Sequence, residues 1–396
     1  MQLLKLSVKA FFLILILLIG YIVFKTFFYQ PPPKAHAGYQ LEWSFSIEKP
    51  EKNLSNNSPW TSPPVFDEDN NIYFCAGYFV EDSSFFEIFI FKINPNGEVI
   101  WNLQTGKACK YLELQGDYLF VGLATRNRPV DVIDTKVPKI LKRFPVNERL
   151  AKTHKWIYTL SPDGIFRINP HSLETTHFKL NPKSFVARED RLFFVLENKA
   201  FMLNDNAEKP TLIVADLDKD QALLLNNNSE KSAFLKELED NHKFYHLFPT
   251  KDYLCIPYED TKRMREGKTI CYHLETGEKV NLVGSGFGFD RRYTYENKII
   301  LRNIFQEHPQ YGSRLYDLDT RQERDLGIYS QWASLFYDNG NLYNYYSRNL
   351  DLFDKTEQKF KKVFSGTGNI RHVQEHNNRL YIATSKGRLH AISKTQ

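Results

Sequence analysis

Phe89-Ile-Phe-Lys-Ile-Asn-Pro-Asn-Gly-Glu-Val-Ile-Trp101 decides the fold. Two runs of strand-forming residues flank Asn94-Pro-Asn-Gly97, in which Pro pre-sets φ for a turn and Gly accepts the positive φ that closes it. The stretch predicts a β-hairpin. The same arrangement returns at Phe166-Arg-Ile-Asn-Pro-His-Ser172, at Tyr272-His-Leu-Glu-Thr-Gly-Glu-Lys-Val280 and at Leu315-Tyr-Asp-Leu-Asp-Thr-Arg321.

Working outward, a shorter pattern recurs eight times, a turn residue followed by strand formers. Its copies are Asn71-Ile-Tyr-Phe74, Asp117-Tyr-Leu-Phe120, Lys155-Trp-Ile-Tyr158, Arg191-Leu-Phe-Phe194, Asp252-Tyr-Leu-Cys255, Lys298-Ile-Ile-Leu301, Asn341-Leu-Tyr-Asn344 and Arg379-Leu-Tyr-Ile382. Counted from Ile72 through Tyr118, Trp156, Leu192, Tyr253, Ile299 and Leu342 to Leu380, the intervals are 46, 38, 36, 61, 46, 43 and 38 residues. Four-stranded propeller blades repeat at about 40–50 residues. The interval of 61 contains an insertion at about residues 216–243. The fold expected is therefore an all-β, eight-bladed β-propeller of four-stranded antiparallel blades over residues 40–396. Leu41-Glu-Trp-Ser-Phe-Ser-Ile47 supplies the outer strand that is missing after Arg388 and so closes the ring.

Composition agrees with a β protein. Aromatic residues make up 15% of the chain, with 31 Phe and 22 Tyr, and such side chains suit a half-buried pleated surface. The net charge of +5 is spread along the chain rather than gathered into a basic stripe, which argues against a nucleic-acid partner.

Residues 1–30 stand apart. Lys5 and Lys9 precede a charge-free run from Ala10 to Phe24, and Phe27, Phe28 and Tyr29 prolong it. That is close to the ~20 apolar residues that a bilayer span requires, so one N-terminal transmembrane helix is expected at about residues 10–29. A cleaved signal with its site at Ala35-His36-Ala37 competes, but three prolines and eleven positions separate that site from Phe24. Either reading exports the remainder, with the N-terminus cytoplasmic and the propeller on the periplasmic or extracytoplasmic side. Residues 31–39 form a Pro-rich linker, stiffened by Pro31-Pro-Pro33.

The form turn–strand–Leu/Ile-Tyr-x-Leu-Asp/Asn-x-x-Thr-Gly-x-x-x-Trp, nearest to complete in Asn94–Trp101 with Thr105-Gly106, resembles the PQQ-type repeat of quinoprotein-like propellers. That family includes the propeller subunit of the outer-membrane β-barrel assembly machine, which binds protein partners. The resemblance covers roughly residues 40–396. Its quinone-dependent members stack the cofactor on a Trp beside a pair of adjacent cysteines and a calcium ion. This chain has no adjacent cysteines, so no cofactor is expected. It also lacks the lipoprotein cysteine of the assembly-machine subunit.

Other motifs fail on context. His372-Val-Gln-Glu-His376 matches the inverted zinc-peptidase pattern, but that chemistry needs a helix to bring both His to one face, and here a strand and turn are expected. Asp216-Leu-Asp-Lys-Asp220 starts like a calcium loop but has Gln221 in place of the required Gly. Asp67-Glu-Asp-Asn-Asn71 occupies a turn, and Gly284-Ser-Gly-Phe-Gly288 lacks a strand–helix context. No catalytic, cofactor-binding or metal-binding residue is assigned.

Four cysteines in an exported chain allow disulfides in three connectivities. Cys75 with Cys109, in adjoining strands of the first two repeats, and Cys255 with Cys271, across one hairpin, form the preferred pairing; buried free thiols are the alternative. Within the insertion, Phe234, Leu235 and Leu238 fall on one helical face behind a Ser cap, as a docking helix, a lid over the ring or a short helix packed on its own blade. The leading functional expectation is a non-catalytic scaffold that binds protein partners in the cell envelope. The alternatives are an enzyme with its site in the channel (a lyase, hydrolase or quinone-dependent oxidoreductase) and a carbohydrate or cell-wall sensor.

Overall fold

The computed structural model describes residues 15–19, 32–47, 60–80, 85–105, 109–123, 129–144, 150–153, 156–161, 164–178, 184–188, 191–196, 199–204, 211–216, 221–225, 232–233, 242–244, 247–260, 267–283, 293–303, 312–328, 334–385 and 387–395. Their strands form eight hydrogen-bonded sheets, which follow one another along the chain at residues 60–104, 109–144, 150–178, 184–233, 242–283, 294–328, 334–365 and 370–394.

Seven of these sheets keep the four-stranded plan of a propeller blade. In the first, the inner strand is split into Trp60–Thr61 and Val65–Phe66, both paired with Ile72–Val80. Pro63 and Pro64 stand at the break, where a residue without an N–H cannot continue the ladder. The fourth sheet departs from the plan with six strands in a row. Its additional strands, Gln221–Leu225 and Ser232–Ala233, come from the expected insertion. Gln221–Leu225 pairs with the otherwise free edge of Thr211–Asp216, so this part of the insertion is strand. Phe234, Leu235 and Leu238 lie outside the described residues.

The expected fold is thus corrected in two respects. Instead of eight four-stranded blades there are seven, with a six-stranded sheet between the third and fifth sheets. The expected transmembrane helix is not found, because no helix among the described residues is long and apolar enough to cross a membrane. Of residues 10–29, only Leu15–Ile19 are described, and these are helical.

The core is a series of layers between sheets, because alternate side chains of one strand face opposite neighbours. In Arg379–Thr384, Leu380 and Ile382 pack with Phe336, Tyr343 and Phe364 of the seventh sheet. Tyr381 and Ala383 pack with Ile72, Phe74 and Phe91 of the first sheet. The last sheet therefore packs against the first.

The N-terminal arm fastens that closure. Tyr39–Ser46 pairs antiparallel with Arg388–Lys394 as the outer strand of the eighth sheet. Just before it, Lys34–Ala35 adds to the outer edge of the seventh sheet, opposite Ser365 and Phe364. The chain reverses between the two through positive φ at Ala37 (48°) and Gly38 (78°).

Candidate functional site: the outer rim and its seams

The turn at Asn94–Gly97 shows how one sheet grips the next. Asn94 Oδ1 accepts hydrogen bonds from the amides of Asn96 and Glu98 at 3.0 and 2.9 Å, and Gly97 takes φ 89°. The turn presents the Pro95 carbonyl to the eighth sheet, where Trp43 Nε1 donates to it at 2.9 Å and Arg379 Nη1 at 3.1 Å. Arg379 also pairs with Glu42 at 2.8 Å. One sheet along, Trp101 Nε1 donates to the Thr135 carbonyl at 3.1 Å, and beyond that Lys142 Nζ donates to the Leu173 carbonyl at 2.8 Å. Through Trp43, Trp101 and Lys142 an outer strand reaches across the seam to the outer turn of the following sheet, and Arg379 adds a contact from an interior strand.

Closer to the channel, the seams are closed by carboxylates and histidines. Glu375 accepts from Asn341 Nδ2 and the Tyr343 hydroxyl, both at 2.8 Å, while its own amide donates to Asp338 at 2.5 Å. Burial, then the Glu375 charge, pushes the Tyr343 hydroxyl far up. His376 stacks on Phe66 with ring centroids 4.2 Å apart and meets Asn70 Oδ1 at 2.9 Å. Burial holds this imidazole below its ordinary value. His372 meets the Thr61 carbonyl at 3.1 Å.

The His-x-x-Glu-His motif therefore lies on the strand Ile370–His376, and its three side chains serve three different partners. Among the described residues no group of three His, Cys, Asp or Glu side chains could hold a metal. Asp67, in the acidic turn, accepts from Asn71 and the Tyr73 hydroxyl and pairs with Lys92 at 3.3 Å. Burial alone would raise this carboxyl, but those hydrogen bonds and the lysine charge hold it below the usual range. Residues 217–220 and 284–288 lie outside the described residues.

The four cysteines are paired and buried. Cys75–Cys109, with an S–S distance of 2.08 Å, joins the first sheet to the second. Cys255–Cys271, at 2.01 Å, joins directly opposed residues of the fifth sheet.

Outside the seams, the outer strands of three consecutive sheets expose large apolar side chains. Leu41 stands on the eighth sheet, Val99 and Ile100 on the first, and Ile140 and Leu141 on the second, whose outer turn adds Val137; Ile100 is 52% and Val137 56% exposed. Register shifts single out Ile100 and Leu141 as extra residues on their strands. Such a bulge re-aims the strand and breaks its alternation. Sequence reasoning missed this rim, although the adjacent apolar pairs Val99-Ile100 and Ile140-Leu141, which violate a period of two, carried the signal. Beside Leu41, an open depression of about 730 Å³ is lined by Gln40, Glu42, Asn378, Arg379 and Lys394.

Comparisons with known proteins bear on the fold. The sequence matches no protein-family model, and no curated protein is similar to it. The structure is similar to that of BamB from Moraxella catarrhalis, with a TM-score of 0.55 at 9% identity, over 90% of this chain and 99% of that one. It is also similar to the Dos1 propeller, with a TM-score of 0.51 at 11% identity, over 90% of this chain and 95% of that one. The chain is thus a β-propeller with the fold of BamB.

Proposed function

We propose that the chain is a non-catalytic scaffold of the cell envelope that docks protein partners on its rim. The observation that carries this reading is the set of exposed apolar residues Leu41, Val99, Ile100, Ile140 and Leu141 on three consecutive outer strands, with Val137 in the adjoining outer turn. Large apolar side chains exposed in groups on neighbouring elements mark interaction sites on folded domains. The seams supply the rigidity that a docking platform needs, since side-chain hydrogen bonds, a disulfide and aromatic stacking hold the sheets to one another. The fold shared with BamB and the PQQ-type repeat pattern support the same reading.

In this proposal the propeller stands on the extracytoplasmic side, with residues 1–30 directing it to the membrane and residues 31–39 as spacer. The charge-free run at residues 10–24 and the two disulfides, which belong to an oxidising compartment, support that placement. An alkaline phosphatase fusion after Thr395 should be active, and an inactive fusion would refute the placement. Docking is tested with a photo-crosslinking residue at Val99, Ile100 or Val137 in growing cells. Discrete protein adducts are expected from these positions and not from Lys355, in the outer turn of the seventh sheet. An absence of rim adducts, together with a small molecule bound in the channel, would overturn the scaffold reading.

A further inference from the structure

The seventh sheet shows what an outer edge of this propeller can accept. Its outer strand, Lys359–Ser365, carries a bulge at Val363, and the arm residues Lys34–Ala35 lie along it as an added strand. The His36 amide donates to the Val363 carbonyl at 2.9 Å, and Val363 and Phe364 are both buried.

The outer strand of the second sheet, Lys139–Phe144, resembles it. Each begins with a Lys opposite an Asp, Lys139 facing Asp134 and Lys359 facing Asp354. Each carries three basic residues, Lys139, Lys142 and Arg143 in one and Lys359, Lys361 and Lys362 in the other. Each is bulged, here at Leu141. The difference is cover: every residue from Lys139 to Arg143 is exposed, and the strand ends its sheet with no further partner among the described residues. A bare edge of this kind offers backbone donors and acceptors to an incoming strand.

Charge narrows the occupant. Arg143 pairs with Asp131, and Lys136, in the preceding turn, pairs with Asp117, each at 2.6 Å. Lys139 holds no ion pair among the described residues, and Lys142, whose Nζ is bonded to the neutral Leu173 carbonyl, has no carboxylate partner there; both flank the exposed Ile140 and Leu141.

We infer that the free edge of Lys139–Phe144 receives, as an added strand, an extended segment of a protein partner that alternates apolar with acidic side chains. This rests on the scaffold reading and specifies where and what it binds. The probe is a fluorescent nine-residue peptide alternating Glu and Val, titrated into the full-length protein, with a Lys–Val peptide as control. Binding of the Glu peptide should slow amide exchange at residues 139–144 and leave residues 359–365 unchanged. Replacing Ile140 and Leu141 together by Asp should weaken binding ~10-fold or more, about 1.4 kcal/mol, with the unfolding midpoint unchanged. Lys139→Glu, which leaves the Lys142 seam contact in place, should abolish the preference for the Glu peptide over the Lys peptide.

Three results would overturn the inference: equal binding of both peptides, protection elsewhere than residues 139–144, or a dimer of this chain that the Ile140 and Leu141 replacements dissociate. Rim adducts at Val99 or Ile100 without protection at residues 139–144 would likewise overturn it while leaving the scaffold reading intact.

Discussion

His390 is fully buried in the eighth sheet, with its Nδ1 2.7 Å from the Ser44 hydroxyl and no hydrogen-bond partner for Nε2 among the described residues. Burial, and then the charge of Arg388, hold its pKa down to about 4. An imidazole that is neutral when folded and titrates normally when unfolded binds fewer protons in the native state. Its contribution to stability is present above the unfolded value near 6.5 and is lost as pH falls toward 4. The urea midpoint should therefore drop between pH 7.5 and 4.5, and His390→Gln should flatten that dependence. His36 and His376, also held low chiefly by burial, leave a residual slope in the variant. An unchanged slope would show that His390 is not the titrating group. Gly97 offers a second test, since it combines φ 89° with a Trp43 ring carbon 2.7 Å from where a Cβ would stand. Gly97→Ala should cost about 1–3 kcal/mol through overpacking and backbone strain, read by chemical denaturation.

Among the elements, the seams separate the roles of the two disulfides. Cys75–Cys109 crosses from the first sheet to the second, whereas Cys255–Cys271 adds to a ladder already held by its own hydrogen bonds. Replacing either pair by Ser should cost about 2–5 kcal/mol, the usual loss for a native bridge. Only the Cys75 and Cys109 replacement should speed amide exchange in Cys109–Gln115, and equal effects from both would contradict the distinction. These elements were legible to different degrees. The turn chemistry of Asn94–Gly97 and the role of Leu41–Ile47 as a closing strand could be read from local pattern. The six-stranded sheet could not, because Ser229–Asp240 has helical spacing while neighbouring residues pair with an edge that exists only in the fold. The exposed rim was half-legible: the pairs Val99-Ile100 and Ile140-Leu141 break a period of two in the sequence, but which member bulges out is set by the partner strand's register.

For the whole molecule, closure depends on residues far apart in the chain: Gln40 Nε2 donates to Ser393 across 353 positions. The strand that completes the last sheet is made first. At roughly 5–20 residues per second, synthesis separates the two strands by about 20–70 seconds. Throughout that interval Trp43, Phe45 and Ile47, which later pack against the first sheet, have no finished eighth sheet to hold them there. A nascent chain of this protein therefore carries an unsatisfied apolar strand until Arg388–Lys394 emerge to pair with it.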